Sequence, residues 1–165
     1  MIVREIKTSD AEKLSHLTQQ VEGNSEYMLW EAGERNSLPA QQRKMIESIE
    51  EEGNSTILVA ETGNKLVGFL MAFGGKARRN KHSAYIVIGI LKEYRGQGIG
   101  SKLLEELERW ALCNNIHRLE LTVVTQNESG LSLYRKMGFT TEGTKKHSLF
   151  IDGDFVDEYY MSKLL

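Results

Sequence analysis

The sequence predicts a mixed β-sheet with helices on both faces, in the α/β (α+β) class. Short runs rich in isoleucine, valine and leucine recur along the chain, separated by stretches of helical periodicity. Two turn signals, Gly63-Asn64 and Asp152-Gly153, each join a pair of such runs into a hairpin. In mid-chain an apolar strand, the turn Arg95-Gly96-Gln97-Gly98-Ile99-Gly100 and a helix follow without a break.

From the start of the chain, residues 2–6 read as a short first strand. Thr8-Ser9-Asp10 offers N-cap residues to a helix with Leu14, Leu17 and Val21 on one side. Residues 22–38 have weak periodicity and predict a loop or a broken helix, and residues 41–52 predict a helix ending at Gly53. Residues 56–60 and 66–70 are the strands of the first hairpin, and residues 85–91 the next strand. In the helix over 99–113, Ile99, Leu103, Leu104, Leu107, Trp110 and Ala111 form one stripe, the spacing of a face packed on a sheet. Leu119, Leu121 and Val123 alternate as a further strand, and residues 127–137 form a short helix closed by Gly138. Strands over 144–151 and 155–161 make the last hairpin. With one proline, no low-complexity tract and no internal repeat, residues 1–165 are expected to be a single domain.

Composition narrows the function classes. The chain is 40% hydrophobic and 27% charged with a net charge of −2, so no basic face is expected for sequence-independent nucleic-acid binding. A lone Cys113 excludes an intramolecular disulfide and a CxxC metal knuckle, and no metal is expected. No apolar run is long enough to span a bilayer, and no basic-then-apolar leader follows Met1, so the expectation is a cytoplasmic protein with no membrane partner.

The strand, glycine turn and helix over residues 84–111 make a device for holding an anion, because first-turn N–H groups have no partner inside their helix and the dipole favours negative charge. A dinucleotide fingerprint fails because Ser101 stands where a third glycine is needed. A G-x-x-x-x-G-K-[ST] phosphate loop fails because Gly100 is followed by Ser-Lys. What remains is another phosphorylated cofactor, or glycines that only make a tight turn.

Arg95-x-x-Gly98-x-Gly100 resembles the R/Q-x-x-G-x-G/A acyl-CoA signature of the GNAT superfamily of N-acetyltransferases. Residues 127–139, with Asn127, Gly130, Leu133-Tyr134 and Gly138-Phe139, resemble its N-x-x-[AG]-x-x-L-Y-x-x-x-G-F segment. The order of elements fits over essentially the whole chain. The resemblance implies a mostly antiparallel sheet of about six to seven strands, splayed at a bulge in the signature strand, and acetyl-CoA as co-substrate. The pyrophosphate would sit on the backbone of Gly96, Gln97, Gly98, Ile99, Gly100 and Ser101 beside Arg95, and the pantetheine arm along Ile88-Gly89-Ile90. Gly89 is where the bulge is expected. The Ile90 N–H would meet the thioester oxygen, Asn127 the cofactor arm or its loop, and Tyr134 would act as general acid toward the departing thiolate.

Several relatives carry a glutamate where this chain has Thr122, so Glu120, two residues back, is the candidate base, acting through water. Glu31 and Glu34 are candidates for the acceptor pocket. The implied acceptor is the amine of a small molecule or a peptide N-terminus, with a homodimer possible; the alternative is a non-catalytic acyl-CoA sensor. Of the remaining residues, Trp110 reads as core, Glu50-Glu51-Glu52 as a solvated helix end, and His82, His147 and Cys113 as isolated. Lys76, Arg78, Arg79 and Lys81 form a basic turn that is either solvated or meets the cofactor or acceptor. Asp157-Glu158-Tyr159-Tyr160 lines the acceptor side or a dimer seam.

Overall fold

The computed structural model describes residues 1–35 and 38–165. Its elements are β1 (Ile2–Glu5), α1 (Ala11–Gly23), α2 (Pro39–Glu52), β2 (Thr56–Thr62), β3 (Lys65–Gly74), β4 (Ser83–Ile90), α3 (Ile99–Cys113), β5 (Arg118–Val124), α4 (Glu128–Lys136), β6 (Thr140–Ile151) and β7 (Asp154–Leu164). All seven strands form one sheet in the order β1-β2-β3-β4-β5-β7-β6, antiparallel throughout except for β4 and β5.

Local chemistry sets the element ends. Gly63 and Asn64 (φ +53° and +65°) and Asp152 and Gly153 (φ +49° and +83°) take the left-handed pair that a two-residue hairpin needs. Pro39 occupies the first turn of α2, where its missing N–H costs nothing, and Gly53 closes that helix with φ +75°. β6 starts at Thr140, four residues before the sequence-based start, and is exposed along most of its length. An edge strand held by backbone pairing to β7 needs no apolar alternation, so its beginning carries no sequence signal.

The two faces carry different helices. A Cβ on Gly68 would meet Ile99 of α3 at 3.4 Å, whereas one on Gly89, opposite the neighbouring residue Phe69, would meet Val21 of α1 at 2.8 Å. Successive strand residues point to opposite faces, so α1, with α2 packed on it, covers one face and α3 the other. Leu14, Leu17 and Val21 on one side and Leu103, Leu104 and Leu107 on the other are buried as their periodicity predicts. Trp110 is half-buried against this core and lines a cavity with Ile46, Ile49 and Ile57. Among the described residues no helix is long and apolar enough to cross a membrane.

Three expectations are corrected. The register of β3 on β4 runs without a shift through Gly89, so the expected bulge against β3 is absent. β4 nevertheless parts from β5, their pairing ending at Tyr85↔Glu120. Glu52 is not a free solvated acid: it pairs with Lys76, which holds its carboxyl below the usual range. Lys76 is thereby tied to α2, in a turn before β4, while the glycine turn follows β4; eight strand residues, roughly 25 Å, separate the two.

At the edge of the sheet, Arg4 donates to both carboxylate oxygens of buried Asp10 (2.7 and 3.0 Å) and to Glu61, and Asp10 also accepts from the Lys7 N–H. The Arg4 guanidinium holds the Asp10 carboxyl below its ordinary range. A lowered folded-state pKa stabilises above the unfolded value of about 3.9 and is lost as pH falls through the depressed one. Asp10→Asn is therefore expected to lower stability in urea denaturation by about 2 kcal/mol at pH 7, a difference that shrinks below pH 4. Gly89→Ala places a methyl 2.7 Å from the Phe69 ring and is expected to cost about 1–3 kcal/mol in the same assay.

Candidate active site

The parting of β4 from β5 leaves backbone groups without a strand partner. The Leu91 N–H donates to Val67 and the Gly75 N–H to Ser83, both bonds running between β3 and β4 and its ends. In an antiparallel ladder the odd-numbered residues of β4 therefore direct their N–H and C=O toward β3, and Ile86, Ile88 and Ile90 direct theirs the other way. Beyond Tyr85 that other side is the gap before β5. Ile88 and Ile90 thus present a free strand edge, whereas the Gly89 backbone is committed to β3. Gly89 is needed for packing, because Phe69 and Val21 leave no room for a side chain.

The edge runs directly into the glycine turn. Arg95 Nε donates to the Ile90 carbonyl (3.1 Å) and its Nη2 reaches the Asn24 carbonyl (3.5 Å), while Gln97 donates to the Glu93 carbonyl (3.0 Å). Both side chains brace the turn. Gly96 and Gly98 have φ of +73° and +80°, with open space where a Cβ would stand. Gly98 is the N-cap of α3, and the first intrahelical bond is Lys102 N–H to its carbonyl (3.1 Å). The N–H groups of Ile99, Gly100 and Ser101 therefore point out of the helix end with the positive pole of its dipole. Gly100 has a second duty: a Cβ there would lie 2.7 Å from Leu133, so its absence lets α4 pack against α3.

Asn127 caps α4, its Oδ1 accepting from the Gly130 N–H (3.0 Å) and the Ser129 hydroxyl (3.2 Å), which leaves its two amide hydrogens for another acceptor. Tyr134 is buried and meets Phe139 edge-on at 5.9 Å between ring centres. Burial first, and the nearby Tyr85 second, push its hydroxyl above the ordinary tyrosine range, so it stays protonated. Sequence reasoning missed Tyr85, whose hydroxyl lies 2.8 Å from Thr122 Oγ1 where the two strands part. Its signal was the one aromatic ring in an otherwise aliphatic strand.

Two of the candidate acids, Glu120 and Glu34, are engaged by neighbouring groups. Glu120 lies on the same face as Thr122, but Arg118 Nε binds its carboxylate at 2.9 Å and also holds Glu142. Glu34 accepts from the Glu31 N–H (2.9 Å), shaping an exposed turn. Glu26 and Tyr27 of that same loop instead line a cavity of about 380 Å³, whose other side is the tip of the β6–β7 hairpin at Ile151, Asp152, Asp154, Phe155 and Val156.

Comparison with known proteins agrees with this geometry. The sequence model of the acetyltransferase (GNAT) family matches residues 24–139, which span both motifs. The chain is 33% identical over 110 residues to the L-amino acid N-acetyltransferase AaaT of Escherichia coli, covering 65% of this chain and 67% of that protein. It is 34% identical over 82 residues to an L-2,4-diaminobutyric acid acetyltransferase of Halalkalibacterium halodurans, covering 50% and 43%; the chain thus spans less than half the length of that relative. Among solved structures it superposes on a GNAT-family acetyltransferase of Streptococcus pneumoniae with a TM-score of 0.95 at 29% identity, covering 99% and 98% of the two chains. It shares its fold, at 18% identity, a TM-score of 0.88 and coverage of 99% and 93%, with a putative acetyltransferase of Salmonella typhimurium solved with its cofactor acetyl-CoA. A free strand edge leading into an N–H-lined helix end, both motifs and the family match lead to one conclusion: this chain belongs to the GNAT family of acetyltransferases, enzymes that move the acetyl group of acetyl-CoA to an amine.

Proposed function

We propose that the chain acetylates the primary amine of a small, amino-acid-like molecule by direct attack in a ternary complex with acetyl-CoA. The observation that carries this reading is the continuity of the Ile88–Ile90 edge with the N–H groups of Ile99, Gly100 and Ser101. An amide-rich pantetheine arm pairs with a strand edge, and a pyrophosphate suits a helix N-terminus. The Ile90 N–H would bond the thioester oxygen, a contact that strengthens as that oxygen gains charge in the transition state. The Asn127 amide hydrogens are the matching donors from the α4 side.

In the chemical step the neutral amine attacks the thioester carbon, forming the C–N bond as the C–S bond breaks. Tyr134 gives its proton to the sulfur and regains one from the amine nitrogen through solvent. A carboxylate base matters less for an α-amine, about 10% of which is neutral at pH 7 at a peptide N-terminus and a smaller share in a free amino acid, than for a lysine-like amine, of which only about 10⁻³ to 10⁻⁴ is neutral. Thr122 in place of an acid, bonded to Tyr85, and the engagement of Glu120 by Arg118 favour acceptors of the first kind. L-amino acids and L-2,4-diaminobutyrate, named for the relatives, supply such amines.

Thiol release from acetyl-CoA across an amine panel tests the reading: steady release with an α-amino acid supports it, and tight cofactor binding without release from any amine would leave a sensor. Gly98→Asp and Gly98→Asn both suit the left-handed backbone, but only the first adds charge, so it is expected to bind acetyl-CoA about tenfold or more weakly than the second. Equal affinities would remove the pyrophosphate from this turn. Tyr134→Phe is expected to lower kcat by about 10²-fold or less with acetyl-CoA affinity unchanged. Because its hydroxyl pKa is raised, wild-type kcat should show no Tyr134-dependent fall up to about pH 10, where an ordinary tyrosine titrates.

A further inference from the structure

Two hydroxyls bridge the closed end of the gap. Tyr85 Oη of β4 and Thr122 Oγ1 of β5 lie 2.8 Å apart, just past the last paired residues, Tyr85↔Glu120. A hydroxyl both donates and accepts, so one bond between the two leaves one hydrogen to give and lone pairs to receive another. Tyr85 is 38% exposed and Thr122 half-buried, so the pair opens to water.

The bridge stands on one face of the gap and the proposed acid comes from the other. Tyr85 is four residues before Gly89 in an unshifted register, so both are directed toward the face that carries α1. Tyr134 belongs to α4, which seats Leu133 against Gly100 of α3, the helix of the opposite face. The two phenols are still close enough for Tyr85 to add to the raised pKa of the Tyr134 hydroxyl. The other titratable groups beside the bridge are Glu120, which Arg118 binds at 2.9 Å, and Tyr160, opposite Thr122 on β7. The carboxylate at this point is thus already paired, and the hydroxyl bridge is what an incoming amine meets.

We infer that Tyr85 and Thr122 together take the proton of the attacking amine and hand it to water, in place of a carboxylate base. This rests on the acetyl-transfer reading above. As the nitrogen lone pair forms the C–N bond, a proton leaves nitrogen for Tyr85 Oη and the electrons of that N–H bond stay on nitrogen. The Tyr85 hydroxyl proton passes to Thr122 Oγ1, and the Thr122 proton passes to a water molecule. Each oxygen gains one proton and gives one, so both end as neutral hydroxyls. The sulfur keeps the electrons of the broken C–S bond and takes the Tyr134 proton, which solvent replaces. A relay of this kind needs neither hydroxyl to ionise, as suits a tyrosine far below its reference pKa of about 10.

Single-turnover formation of the acetylated amine, with saturating acetyl-CoA and an amine that wild type accepts, tests the relay. Tyr85→Phe and Thr122→Val should each slow the step about tenfold or more, and the double variant no further than either alone. Thr122→Ser, which keeps the hydroxyl, should recover most of the rate. Acetyl-CoA affinity and Tm should stay near wild type. Imidazole added at constant pH should speed Tyr85→Ala, in which it can stand in for the lost acceptor, and leave wild type unchanged. A wild-type rate in Tyr85→Phe or in Thr122→Val overturns the inference. So does a slow Tyr85→Phe that loses Tm and acetyl-CoA affinity together while Tyr85→Ala ignores imidazole, since the pair is then only a clasp between strands. If wild type binds acetyl-CoA but acetylates no amine, the transfer reading fails and the relay with it; an active wild type with unaffected variants overturns the relay alone.

Discussion

Two parallel strands that pair at one end and part at the other govern the rest of this molecule. β4 and β5 are joined through Tyr85↔Glu120, where the Tyr85 and Thr122 hydroxyls also bond, and then diverge. Inside a sheet an unpaired N–H or C=O is a liability, and a gap between adjacent strands creates several. Arg95 takes up one of them by donating to the Ile90 carbonyl. The others, at Ile88 and Ile90, are available to an extended, amide-bearing partner. The gap is thus both a local cost in folding energy and the opening in which a thioester can be aligned.

The glycines divide by duty around that gap. Gly96 and Gly98 are required by backbone conformation, and the space beside them is open. Gly89 and Gly100 are required by packing: one lets Phe69 and α1 close on β4, the other lets α4 close on α3. The second contact matters for chemistry, because α4 carries Tyr134 and is capped by Asn127. The seating of Leu133 of α4 against Gly100 of α3 therefore couples the helix end that suits a pyrophosphate to the hydroxyl proposed to meet the sulfur.

Much of this was legible in the sequence, and the parts that were not share a cause. Turns and caps are written in adjacent residues, so Gly63-Asn64, Asp152-Gly153 and the start of α3 were readable directly. The duty of Gly89 depends on Val21, far away in the chain, and neither a bulge nor a cofactor contact was needed to explain it. The engagement of Glu120 by Arg118 was hidden although the two are neighbours on β5, because the outcome depended on which charges β6 brings alongside. Glu158 was seen only as part of an ambiguous run, since whether it faces α1 or α3 follows from the register of β7 on β5. Tyr85 went unremarked because a hydroxyl pair across two strands has no sequence spacing.

Amide hydrogen exchange with and without acetyl-CoA measures the central claim directly. An arm paired along the free edge of β4 must protect alternate residues. Ile88 and Ile90 should slow together with Ile99, Gly100 and Ser101, while Gly89, already bonded to β3, should exchange as before. Uniform protection along β4, or protection confined to residues outside the gap, would contradict the account.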